Sequence, residues 1–300
     1  MEEFFQHLIN GISIGSIYGL VAIGYTMVYG ILNLINFAHG DIFMIGAFSG
    51  YFIARGLGAD QAPSLFLALV VLILSMVVCG ALGFTIERFA YRPLRAMPRL
   101  NLLITAIGVS LFLENGGQLF FGADPKFFPE LIERQIYFQI GDIAISNYQV
   151  IVVGLSMTLM FLLQYIVFHT KTGKAMQAVS FSHETASLMG IDTNRIISFT
   201  FILGSMLAAA GGILVGLSYP RIDPLMGLLF GLKAFVAAVI GGIGSIPGAI
   251  AGAMLMGLSE EMVVGYFSST YRDALAFFLL ILVLLIKPTG IFGKKTAEKV

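Results

Sequence analysis

The sequence predicts an all-α fold: a polytopic transmembrane helical bundle of about eight or nine crossings, with a weak internal repeat. Three observations carry that prediction. Hydrophobic residues make up 58% of the 300-residue chain and charged residues 11%, where a soluble domain carries about 25% charge. Apolar stretches of about 20 residues, the length that crosses a hydrocarbon core, recur from end to end. Gly (35), Phe (26) and Met (14) are abundant, as suits helices packed closely in lipid.

In order, the hydrophobic segments fall at about 8–30, 38–55, 64–86, 101–122, 148–168, 196–217, 228–242, 247–264 and 272–287. The second and seventh are short. A 15-residue helix reaches only about 22 Å, less than the roughly 30 Å core, so each is a short crossing or half of a re-entrant hairpin. Nine crossings is the preferred count. Trp is absent, which leaves the 11 Tyr to supply any interfacial aromatic belt. The single cysteine, Cys79, lies inside an apolar segment and reads as packing, so no disulfide framework exists. The opening MEEFFQH lacks the basic region of a cleavable signal, and the first segment is expected to stay. Zero net charge offers no reason to expect nucleic acid.

Basic residues set the orientation. The 87–99 loop holds Arg88, Arg92, Arg95 and Arg99. The 171–195 insert holds Lys171, Lys174 and Arg195, and the tail holds Lys287, Lys294, Lys295 and Lys299. These three regions are expected in the cytoplasm. The 123–147 loop sets Lys126 and Arg134 against Asp124, Glu130, Glu133 and Asp142, and is expected outside. Nine crossings then place the Glu-bearing N-terminus outside as well. The repeat lies between GLVAIGYTMVYGILNLINFAHGDIFMIGAFSG and GLKAFVAAVIGGIGSIPGAIAGAMLMG. Each reads as an apolar helix, a Gly-containing turn and a Gly/Ala/Met helix, and duplicated halves with the path at their interface are common in transporters.

The longest hydrophilic insert of the C-terminal two-thirds is KTGKAMQAVSFSHETASLMGIDTNR. Its spacing predicts two short helices joined by a cap. Ser182 is placed to accept a bond from the following turn. Glu184 falls in the first turn, at the positive end of the helix dipole. Gly190 stands where a left-handed C′ residue would stop the helix. About two turns cannot stand alone in water, so the piece is expected to pack on something and to serve as a docking element. Thr185 and Ala186 offer small contacts, and Leu188 and Met189 an apolar face.

Glu184-Thr185-Ala186, three residues and then Gly190 resemble the EAA-x-x-x-G loop of ABC importer permeases, although Thr185 replaces the second-position Ala and the later I-x-LP is missing. Together with INFAHGDIFMIGAF, the run GKAMQAVSFSHETASLMGIDTNRIISFTFILGSMLAAAGGILVG, VIGGIGSIPGAIAGA and IKPTGIFG, the whole chain resembles the permease subunit of branched-chain amino acid ABC importers, of the shorter LivH type. Amide and urea importers have related permeases. The resemblance implies a single transmembrane permease domain over 1–300 with a cytoplasmic coupling loop at about 169–195. It implies a bacterial inner-membrane location and inward transport of Leu, Ile or Val by alternating access. Implied partners are a paralogous permease subunit in a heterodimer, two cytoplasmic ATPases that bind the ATP and Mg, and a periplasmic amino-acid-binding protein. Selectivity would rest mostly with that binding protein, while Ser13, Ser16, Ser49, Ser205 and Ser218 give a path that tolerates a zwitterion.

Ionisable and amide side chains inside membrane segments are candidates for the path. Glu114 and Asn115 fall in the outer half of their segment. Glu114 either lines the path or hydrogen-bonds a broken helix end, or is a packed carboxyl paired with a neighbouring helix. Lys233, near the outer end of a short segment, is a path residue or a snorkelling lysine. Asn36, His39 and Asp41 cluster at the first Gly-containing turn, where Asp41 is expected to cap the next helix. Glu260, Glu261, Arg272 and Asp273 read as a solvated outer rim. No GxxxxGK[ST] occurs, so any ATP must be bound by another chain. His7, His39, His169 and His183 show no metal-ligand spacing with one another or with Cys79. No nucleophile–base pair can be argued, so an enzyme is not expected and the chain itself calls for no cofactor. The rival classes are a stand-alone secondary transporter or facilitator of small amino acids or amides, coupled through Glu114 or Lys233, and a purely structural membrane subunit.

Overall fold

The computed structural model describes residues 2–59, 61–95, 97–141 and 143–293. The tail lysines Lys294, Lys295 and Lys299, and Asp142 of the 123–147 loop, lie outside the described residues. The helices are α1 (Glu2–Leu32), α2 (Ala38–Gly56), α3 (Leu65–Ile86), α4 (Arg99–Phe121), α5 (Asn147–His169), α6 (Lys171–Phe181), α7 (His183–Leu188), α8 (Thr193–Ser218), α9 (Met226–Gly241), α10 (Ile246–Tyr266) and α11 (Arg272–Ile286). A π turn (Glu87–Tyr91) and a 3₁₀ turn (Arg92–Leu94) prolong α3. Each of the nine hydrophobic segments forms one long helix, and the polar insert forms α6 and α7. Among the described residues seven helices are long and apolar enough to cross a membrane. Those left out are α2 and α9, the two read as short. At 19 residues α2 carries His39, Asp41 and Arg55, while α9 has only 16 residues.

Burial explains how α2, with its polar residues, and the short α9 survive in lipid. The bundle centre is α1 and α8 with α2 and α9 against them, while α4, α5 and α11 are mostly open on their outer faces. Small residues let the backbones approach. At the α2–α9 crossing a Cβ on Gly40 would lie 2.4 Å from the Gly227 carbonyl oxygen, and one on Gly227 2.5 Å from that of Gly40. Only glycine fits there. The repeated segments both form helix–turn–helix units, and α1 lies along α10 while α2 crosses α9.

The helix ends are closed locally. Ser64 caps α3, Asp192 caps α8 and Ser245 caps α10, while Ser146 and Gln149 form a complete capping box on α5. Contacts sort the loops into two ends of the bundle. At one, His183 meets the Ile31 carbonyl, Arg95 reaches Asn194, and Phe292 N–H donates to the Gly241 carbonyl. At the other, Ala144 N–H donates to Gln6, and Phe128 N–H donates to Pro220. Here four short strands, β1 (Lys126–Phe127), β2 (Ile136–Ile140), β3 (Ile143–Ser146) and β4 (Arg221–Ile222), pair antiparallel as β1–β4 and β2–β3. The N-terminus of α1 therefore shares an end with the 123–147 loop, and the 87–99 loop shares the opposite end with α6 and α7.

Candidate functional site

The polar insert folds into a rigid, doubly capped element. The Thr170 hydroxyl accepts from Gly173 N–H at 3.1 Å to open α6. Ser182 ends α6 and opens α7: its N–H donates to Ala178 O, and its hydroxyl accepts from Thr185 N–H at 3.2 Å. Gly190 adopts φ +81°, and the pair Ile191 N–H to Ala186 O and Gly190 N–H to Ser187 O completes a Schellman stop. His183 Nε2 donates to the Ile31 carbonyl at 2.7 Å, tying α7 to the end of α1. Ala186 is buried, so it anchors α7 to its own bundle instead of offering an outward contact. Phe181, Leu188 and Met189 are 89%, 83% and 79% exposed, alongside exposed Lys174, Glu184 and Thr185.

A second cluster surrounds the start of α2. Phe37 occupies the N-cap position without any side-chain cap, and Asp41 does not cap the helix. The reason is tertiary: α2 starts inside the bundle, and the Asp41 carboxylate is taken by the Ser110 hydroxyl of α4. Asn36 Oδ1 accepts from Tyr91 OH at 2.7 Å. His39 is 1% exposed, its ring edge-on to Tyr25 at 4.7 Å, and its Nε2 has no partner among the described residues. Glu114 lies one helical turn beyond Ser110 and is half-buried. Asn115 faces outward, its amide donating back to Leu111 O.

Lys233 belongs elsewhere. Its ammonium pairs with Glu260 at 2.9 Å and with Asp273 at 2.7 Å. Arg272 pairs with Glu260 at 2.8 Å and with Glu261, and Tyr18 OH donates to Glu260 at 2.9 Å. Glu260 is 0% exposed and Glu261 nearly so. Glu260 and Glu261 are therefore buried rather than part of a solvated rim, and the Lys233 ammonium is held by pairing, while Arg272 is part-buried and Asp273 stays exposed at the start of α11. The missed signal was opposite charge on three successive apolar segments. Sequence reasoning also passed over Glu87, fully buried and held by Arg95 and Ser198. Burial draws the Arg95 guanidinium down to about 10, still high enough to keep it charged at neutral pH.

The bundle encloses two cavities of note. One of about 550 Å³ opens at the α6–α7 end, between Thr26 and Gly30 of α1, Gln177 and Ser180 of α6, and the turn at Ser245. One of about 180 Å³ lies at the hairpin end. Between them, α1 is buried without interruption from Ser13 to Val28. Among the described residues no group of His, Cys, Asp and Glu is arranged to hold a metal.

Residues 7–284 match the family described as branched-chain amino acid transport system / permease component. The chain is 43% identical over 304 residues to the high-affinity branched-chain amino acid transport system permease protein BraD of Pseudomonas aeruginosa, covering 99% of this chain and 98% of that protein. It is 42% identical over 305 residues, with the same coverage of each, to the corresponding permease protein LivH of Escherichia coli (strain K12). A shorter likeness, 28% over 137 residues, 44% of this chain and 42% of that protein, links it to the ribose import permease protein RbsC of Haemophilus influenzae. With a match that spans every long helix, the chain belongs to the branched-chain amino acid transport system permease family, and is a multi-pass membrane transport subunit rather than an enzyme.

Proposed function

We propose that this subunit forms one half of the membrane pore of an ATP-binding cassette importer in a bacterial inner membrane, and carries leucine, isoleucine or valine inward by alternating access. The other half is a paralogous permease. Two cytoplasmic ATPases bind ATP and Mg, and a periplasmic amino-acid-binding protein delivers the substrate. In this reading the α6–α7 end is cytoplasmic and the hairpin end periplasmic. The observation that carries it is α7 itself: a doubly capped helix, pinned to α1, that presents Leu188 and Met189 outward beside Glu184 and Thr185. A secondary carrier needs no such element, whereas an ATPase can move the bundle only through a rigid handle. Partners that favour different states of one bistable bundle then drive transport. Lys174, Ser182, Gly190 and the residues between them form the coupling element. Asn36, His39, Asp41, Glu114, Asn115 and Lys233 remain the candidates for the path and its control.

The test is a pull-down of the detergent-solubilised protein with its ATPases, comparing wild type with Glu184→Lys and Gly190→Trp. Both variants are expected to release ATPases that wild type retains. A wild type that binds no ATPase, yet moves leucine in vesicles without ATP, would sink the importer reading in favour of a secondary carrier.

A further inference from the structure

The cavity at the hairpin end is built from complementary parts. One face of α1 contributes Asn10, Ser13, Ile14 and Ile17, the first turn of α5 contributes Gln149, and the last turn of α8 contributes Ser218 and then Tyr219. Ser13 is more than nine-tenths buried, and its hydroxyl bonds to nothing among the described residues. The neighbouring Ser16 instead donates to Ile12 O, and Ser218 to Leu214 O. Ser13 thus faces the cavity with its donor unspent. The N-terminal end of α5, whose first amides are taken by Gln135 O, Asn147 Oδ1 and Ser146 Oγ, and the C-terminal end of α8 meet at the same space, so α5 offers its dipole rather than free donors. Arg134, its guanidinium 5.3 Å from the Tyr148 ring centroid, adds a full positive charge on the α5 side. The volume, about 180 Å³, equals the share of roughly six liquid waters.

We propose that this cavity is a periplasmic way station for the transported molecule, a small zwitterion with an aliphatic side chain; the inference rests on the permease reading. The carboxylate lies toward the α5 N-terminus and Arg134. The ammonium lies toward the last carbonyls of α8 and the Ser218 hydroxyl. The side chain lies on Ile14 and Ile17. Opposed helix ends recognise the two charges without burying a fixed counter-ion for each, so the molecule is oriented but held weakly enough to move on.

The whole importer, carrying Cys79→Ser and Ser13→Cys, is reconstituted with its binding protein, and the rate of modification by a small methanethiosulfonate is followed. Ser218→Cys probes the opposite wall should Ser13→Cys fail to assemble. Saturating leucine is expected to slow modification several-fold, while glutamate and lysine leave it unchanged. Arg134→Gln is expected to raise the leucine concentration needed for protection several-fold. A thiol that reacts equally fast with and without leucine, in a complex that still imports leucine, overturns the way station. Equal protection by glutamate or lysine, or an unshifted concentration in Arg134→Gln, overturns the assigned chemistry. A wild-type complex that imports no leucine with ATP tells against the permease reading instead.

Discussion

Glu260 is a carboxylate that the bundle can hold only because Lys233, Arg272 and Tyr18 share it. Removing one member of a buried pair costs up to roughly 3–5 kcal/mol. Loss of Glu260 takes a shared carboxylate from Lys233, Arg272 and Tyr18 at once, although Lys233 keeps Asp273 and Arg272 keeps Glu261. Glu260→Ala is therefore expected to lower the thermal midpoint of the detergent-solubilised protein sharply, as followed by loss of the monodisperse peak on heating. Lys233→Met combined with Glu260→Ala should recover part of that loss, since the two residues share one interaction and their effects do not add. A double variant as unstable as the sum of the singles would show that the pair is not coupled. The network joins α1, α9, α10 and α11, so its loss loosens four elements together. No pattern within a single segment could reveal it: Glu260 and Glu261 look like a helix end near water until α11 is seen to begin beside them.

At the scale of the element, α7 shows what a sequence reveals unaided. Ser182 and Gly190 act through bonds to residues within a few positions and Glu184 simply stands in the first turn, so the places of cap, first-turn acid and stop are legible from spacing alone. Asp41 is the counter-example. Its residue type and position suit a cap, but Ser110, 69 residues away, claims the carboxylate. Ala186 fails for the same reason, since only the packed bundle decides which face of α7 turns inward. Two substitutions separate capping from contact. Ser182→Ala should cost about 1 kcal/mol of helix stability. Gly190→Ala places a β-carbon at φ +81° with nothing within 4 Å, so it adds roughly 1–2 kcal/mol of backbone strain without any clash. Each is expected to weaken ATPase binding several-fold and to speed amide exchange across 183–190, without disturbing the membrane helices. The α2–α9 crossing is less forgiving. Gly227→Val cannot be seated against Gly40 without parting the helices, and little assembled protein is expected on size-exclusion chromatography.

Across the described residues, the nine helices of the hydrophobic segments were legible because apolar length is a property of each segment, and the shortness of α2 and α9 was legible for the same reason. Their central place was not, since burial against α1 and α8 depends on which Gly-rich faces meet. The cavities, too, exist only between elements. Their difference in size matters for mechanism: about 550 Å³ at the α6–α7 end against about 180 Å³ at the other, with α1 closed between them. The bundle stands wider at the α6–α7 end, the end proposed to meet the ATPases, and in that proposal alternating access requires the cleft to shrink when ATP draws the coupling helices together. Ser180 on α6 and Ser245 at the α9–α10 turn both line it. Spin labels at Ser180→Cys and Ser245→Cys, in a Cys79→Ser background, should report a shorter distance in the assembled importer with a non-hydrolysable ATP analogue than without nucleotide. A distribution that nucleotide leaves unmoved, in a complex whose ATPases remain bound, would mean that the cleft is a fixed recess and that the closing motion lies between subunits rather than within this one.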